Sequence, residues 1–76
     1  MTEKKIKLTT IDDVKDFVHK VNKLDCEADL TIGKYTVDAK SIMGIFSLDL
    51  SRQLTLTIHE DNCGAFISEI DRYIIK

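Results

Sequence analysis

The sequence predicts a small two-layer α+β sandwich, with a four-stranded antiparallel sheet and its helices on one face. Three observations predict it. Four short stretches alternate apolar and polar residues, the period of a half-buried strand. Between them lie segments whose apolar residues recur at helical spacing. The chain has only 76 residues, enough for one core and too few for two, so strands and helices must share a single apolar layer. Residues 1–76 are accordingly read as a single domain.

Each element has its own signal. Lys4 to Thr9 alternates, with Ile6 and Leu8 on one face and Lys5, Lys7 and Thr9 on the other, which predicts the first strand. Thr10-Ile11-Asp12-Asp13 then opens a helix: the threonine caps free backbone N–H groups and the carboxylates favour the positive end of the helix dipole. Ile11, Val14, Phe17, Val18, Val21 and Leu24 form its stripe, so the first helix is predicted over about 11–24. Leu30 and Ile32, then Tyr35 and Val37, give two strands joined at Gly33-Lys34, where glycine supplies a positive φ if the turn needs one. Ser41 caps a short, very apolar helix through about Leu48. Leu54, Leu56 and Ile58 alternate with Thr55, Thr57 and His59, the cleanest strand. Asp61 or Asn62 is expected to cap a last helix with Phe66, Ile67, Ile70, Tyr73 and Ile74 on one stripe. The predicted order is β-α-β-β-α-β-α. The open sheet face carries Lys5, Lys7, Thr31, Thr36, Thr55 and Thr57, a mix that suits water.

Composition narrows function. Hydrophobic residues are 43% and charged residues 32% of the chain, too apolar for disorder. A net charge of -2 argues against nucleic acid as a partner. No apolar run approaches the roughly 20 residues of a membrane span, and the first residues lack the apolar core of a secretory signal. A cytoplasmic protein with no membrane insertion is expected. Cys26 and Cys63 form no C-x-x-C pair, so no metal site is indicated. They are read as reduced, core-like residues, and sequence alone leaves a bridge between them open. Nothing in the sequence calls for a cofactor. No Ser-His-Asp, Cys-His or paired-carboxylate pattern or Gly-rich phosphate loop stands out among only three glycines, so the chain is not expected to be an enzyme. There is no proline, where average usage would give roughly four.

Val37-Asp38-Ala39-Lys40-Ser41-Ile42-Met43-Gly44-Ile45-Phe46-Ser47-Leu48 closely resembles the V-x-x-K-S-I-M-G-V-M-S-L segment of HPr, the histidine-containing phosphocarrier family of the bacterial phosphotransferase system. The element order resembles that family over the whole chain, which implies the HPr-like open-faced sandwich. The family's other motif, G-I-H-A-R-P-A, is missing. Counted back from Ser41, Thr10 stands at the position of the histidine that takes the phosphoryl group from enzyme I. Asp12 stands at the arginine and Asp13 at the proline. A threonine hydroxyl forms no labile phosphoramidate, and two carboxylates repel the anion that a helix N-terminus should attract. The absent proline is thus partly the absent motif.

The resemblance implies three candidate sites. Ser41 matches the serine modified by HPr kinase, and a phosphate at a helix N-cap is physically permitted. Ile42, Met43 and Phe46 match a partly exposed apolar patch that docks protein partners, of which HPr kinase, a regulator or a transporter subunit are the expected kinds. As an alternative to a regulatory, non-carrier role, His19 or His59 would serve as a displaced phosphoacceptor. His19 lies off the apolar stripe of its helix and His59 lies next to Glu60 and Asp61, so surface roles compete for both.

Overall fold

Alternating β-branched and aliphatic residues build the sheet. The computed structural model describes residues 1–75, in which β1 (Thr2–Ile6), β2 (Ala28–Ile32), β3 (Tyr35–Asp38) and β4 (Leu54–Ile58) lie in the order β1-β4-β2-β3, every neighbour antiparallel. The helices are α1 (Ile11–Val21), α2 (Ile42–Phe46) and α3 (Gly64–Glu69), followed by a 3-10 turn at Asp71–Tyr73. Ile6, Leu8, Leu30, Leu54, Leu56 and Ile58 are fully buried against Val14, Phe17 and Val21 of α1, Ile45 of α2 and Ile70. The α+β class and the element order are as expected. Gly33 has φ 57, the left-handed conformation that the two-residue turn demands.

Three boundaries move, two of them through distant partners and one through a local bond. β1 spans Thr2–Ile6 rather than residues 4–9, because its partners in β4 run from Ile58 opposite Thr2 to Leu54 opposite Ile6. Beyond Ile6 the chain pairs instead with its own C-terminal stretch: Lys7 N–H donates to Tyr73 O at 2.9 Å and Ile6 bridges Ile74. α1 stops at Val21, short of residue 24, where the Asn22 side-chain amide donates to Val18 O at 2.8 Å and to Lys40 O at 3.3 Å. α2 ends at Phe46, not Leu48, with Ser47 folded back onto Gly44 O.

The last helix differs most. Neither Asp61 nor Asn62 caps it; the N-cap is Cys63, without a side-chain cap bond, and Asp61 accepts from the Met1 amino group. The predicted single stripe is broken at Ile70, and Tyr73 and Ile74 belong to the 3-10 turn and the extended segment after it. Cys26 is half-buried, Cys63 is buried, and both are free thiols. Burial, then the neighbouring Glu60 carboxylate, pushes the Cys26 thiol up.

Tyr73 nevertheless closes the core. Its ring meets Phe17 edge-on, with centroids 6.4 Å apart and planes at 82°, and its hydroxyl donates to Asp16 Oδ2 at 2.6 Å. Lys20 Nζ donates to the same oxygen at 2.9 Å. Burial first, and then the Asp16 carboxylate, push Tyr73 up to about 12. The Tyr73 hydrogen bond, then Lys20, hold Asp16 below its usual range. A raised tyrosine pKa stabilises the fold fully below the unfolded value near 10 and loses that contribution as pH rises toward 12. The guanidinium unfolding midpoint is therefore expected to fall between pH 10 and 12, and to fall less in Tyr73→Phe. Equal slopes for the two proteins would remove Tyr73 from the account.

Candidate functional site

The head of α1 is built from Thr9 to Asp13. Thr10 is extended (φ -118, ψ 165) as an N-cap must be, and its Oγ1 accepts from Asp13 N–H at 3.0 Å. Asp13 Oδ2 reaches back to accept from Thr9 N–H at 3.2 Å and Thr10 N–H at 3.3 Å. This reciprocal capping box has a chemical consequence: a carboxylate of the chain itself already sits at this helix end, bonded to the N-cap N–H, where it opposes an incoming anion. Asp12 projects into solvent beside it. Ile11, expected on the apolar stripe, is 62% exposed, because the first helical position lies outside the turn that meets the sheet.

Ser41 is the N-cap of α2 (φ -100, ψ 109), and its Oγ accepts from Gly44 N–H at 3.1 Å. The surrounding residues have packing reasons. A Cβ on Gly44 would lie 3.3 Å from both Ser41 Oγ and Val37 Cβ, so glycine lets α2 sit close to β3. Ala39 and Ile45 are fully buried. Lys40 N–H donates to Asp38 Oδ1 at 2.8 Å and Lys40 Nζ to Leu24 O at 2.6 Å, fixing the approach to the helix. Of the apolar trio, Ile42 packs partly against the core, whereas Met43 is 78% and Phe46 40% exposed. Together with Ile11 they leave large apolar side chains in water on two helices that pack against each other.

The histidines lie elsewhere. His19 is exposed on α1, beyond the first turn. His59 follows β4 and its Nε2 lies 2.8 Å from Asp29 Oδ2. Among the described residues, no three His, Cys, Asp or Glu side chains gather where they could hold a metal ion, and no helix is long and apolar enough to cross a membrane.

Comparison with known proteins places this arrangement. The family model for the PTS HPr component phosphorylation site matches residues 13–73, a span that begins just after Thr10 and Asp12. No curated protein matches. Among solved structures, HPr-C-His from Thermoanaerobacter tengcongensis aligns with a TM-score of 0.78 at 25% identity, covering 95% of this chain and 89% of that one. The phosphocarrier protein HPr from Bacillus anthracis str. Ames aligns at 0.71 and 22% identity, over 97% and 96% of the two chains. Crh, the catabolite repression containing protein of Bacillus subtilis, aligns at 0.65 and 19% identity, over 93% and 88%. The chain belongs to the HPr family, the phosphocarrier family of the phosphotransferase system, with the family's open-faced α+β sandwich.

Proposed function

We propose that this chain is a family member without carrier chemistry, a regulatory module that docks protein partners and is switched by phosphate on Ser41. The observation that carries the reading is the head of α1. Thr10 offers a hydroxyl in place of an imidazole, and Asp13 Oδ2 already holds the Thr9 and Thr10 N–H groups. A phosphoryl group there would meet two carboxylates, Asp12 and Asp13, within one helical turn, one of them already bonded to the N-cap N–H. Phosphohistidine chemistry has lost both its nucleophile and its electrostatic support.

The α2 segment supports the second half of the reading. Met43 and Phe46, with Ile42 behind them, present a flexible thioether and an aromatic edge, the side-chain types that suit adaptable protein contacts. Ser41 is half-buried at the N-cap, where phosphate oxygens can take over the acceptor role of the hydroxyl. HPr kinase is the modifying partner in this reading, and a regulator or transporter subunit the docked one. The protein itself performs no catalysis in this scheme.

The test is treatment of the purified chain with HPr kinase and ATP, read by intact mass. Wild type is expected to gain one phosphate and Ser41→Ala none; an unmodified wild type would overturn the switch. Loss of the Gly44 cap bond in Ser41→Ala costs about 1 kcal/mol, so a thermal melt of that variant should show a modest drop with the fold retained.

A further inference from the structure

The open face of the sheet, opposite the helices, is segregated by charge. One rung crosses all four strands as Lys5, Thr55, Thr31 and Thr36. The neighbouring rung on the same face reads Glu3, Thr57, Asp29 and Asp38. Beside the first rung lies a groove of about 690 Å³, between the β2–β3 turn and the loop entering β4. Its polar wall is Lys5, Thr31, Ser51, Arg52, Gln53 and Thr55, and no carboxylate lines it.

The hydrogen-bond inventory of that wall favours an acceptor-rich ligand. Lys5 Nζ donates to Thr55 Oγ1 at 2.6 Å, which leaves the Thr55 hydroxyl proton and the remaining ammonium protons to donate outward. Thr31 and Thr36 share one hydroxyl–hydroxyl bond of 3.2 Å, so one of their two protons is also free. The Arg52 guanidinium makes no hydrogen bond or ion pair among the described residues, while its backbone N–H donates to Asp49 O at 3.3 Å. Asp49 attracts Arg52 but lines the adjoining hollow of about 370 Å³. Its Oδ1 is held by the Ser51 N–H at 3.1 Å and hydroxyl at 2.6 Å. That hollow shares Ile32 and Arg52 with the groove and is walled by Tyr35, whose ring is exposed.

We propose that the groove binds the phosphate of a small soluble phosphomonoester, with its organic part rounding the end of the sheet past Arg52 toward Tyr35, which stands opposite Ile32 on the helix side. Lys5 and Arg52 supply the charge, Arg52 with a fork suited to two phosphate oxygens, and Thr55 adds a hydroxyl donor. A dianion takes two cations better than a carboxylate does. The acidic rung makes a flat anionic surface unfavourable, because Glu3, Asp29 and Asp38 would face it together. The site is independent of Ser41 and of the head of α1.

Backbone amide spectra recorded during titration test it, with inorganic phosphate and glycerol phosphate as probes, sodium chloride at equal ionic strength as reference, and phosphatidic acid vesicles as a further arm. Saturable shifts are expected at Lys5, Thr31, Arg52 and Thr55 with both soluble phosphates, and stronger binding for the ester, with Tyr35 also shifting. Lys5→Ala and Arg52→Ala are each expected to weaken binding about tenfold or more, with Ser41→Ala unchanged. Lys5 and Arg52 are exposed, so both variants should stay folded, which the dispersion of the same spectra verifies. Shifts matched by chloride, shifts centred on α2, binding unaltered in both variants, or binding to vesicles alone would each overturn the proposal.

Discussion

Mixed with enzyme I and phosphoenolpyruvate, the wild-type chain is expected to gain no acid-labile phosphate, and a Thr10→His, Asp12→Arg, Asp13→Pro variant is expected to gain one. The contrast is close to all-or-none because three separate requirements are restored together. The imidazole provides a nitrogen nucleophile at the N-cap of α1. Arginine replaces a carboxylate that repels the phosphoryl group with a cation that holds it. Removing Asp13 frees the Thr9 and residue-10 N–H groups that its Oδ2 occupies at 3.2 and 3.3 Å. Proline is tolerated there, since an N–H in the first helical turn has no carbonyl partner four residues back. Thr10→His alone is expected to remain poor, because both carboxylates stay in the first turn, each opposing an anion where the helix dipole would otherwise favour it by about 0.3–1 kcal/mol. The measurement is phosphate release after acid treatment of the labelled protein. Labelling of wild type at His19 or His59 would sink the non-carrier reading.

Elements whose signal is local were legible in the sequence. The alternation of Leu54, Leu56 and Ile58 gave β4 its bounds to within a residue, and the Gly33 turn was readable because glycine reaches φ 57 without the steric cost a Cβ brings. Boundaries set by distant partners were not. β1 starts at Thr2 because Ile58 lies across from it, and the final stripe breaks after Ile70 because Lys7 and Ile6 capture Tyr73 and Ile74; helical spacing carries no trace of either contact. At the head of α1 the carboxylates were readable as partners of the helix dipole. The return bond from Asp13 to Thr9 and Thr10 depends on one side-chain rotamer. The Lys5–Thr55–Thr31–Thr36 rung needed the register of three strand pairs, so residues far apart in the chain gave no common signal. Ile11 is exposed through its place at the first helical position, where a stripe drawn from spacing alone extends one turn too far.

Phe17→Ala is expected to cost about 3–5 kcal/mol, the largest stability loss from a single side chain. At roughly 0.05–0.15 kcal/mol per residue, a chain of this size holds only about 4–11 kcal/mol in total, so the variant should be substantially unfolded near its former midpoint. Three circumstances put the value at the upper end. Phe17 is fully buried. Its ring is the edge-on partner of Tyr73, and such pairs add about 0.5–1.5 kcal/mol beyond area. The site cannot collapse easily, because Tyr73 is fixed by its bond to Asp16 and by Lys7 N–H on its carbonyl, so neighbouring atoms stay apart and the cavity persists. Met43→Ala removes an equally apolar side chain that is already in water, and is expected to change stability by less than about 0.5 kcal/mol. Guanidinium unfolding of the two variants beside wild type decides the matter. A Phe17→Ala loss below about 1 kcal/mol would mean that α1, 3-10 turn and sheet are not locked through this ring, and that the anchoring of the C-terminal segment lies in its backbone bonds to β1 alone.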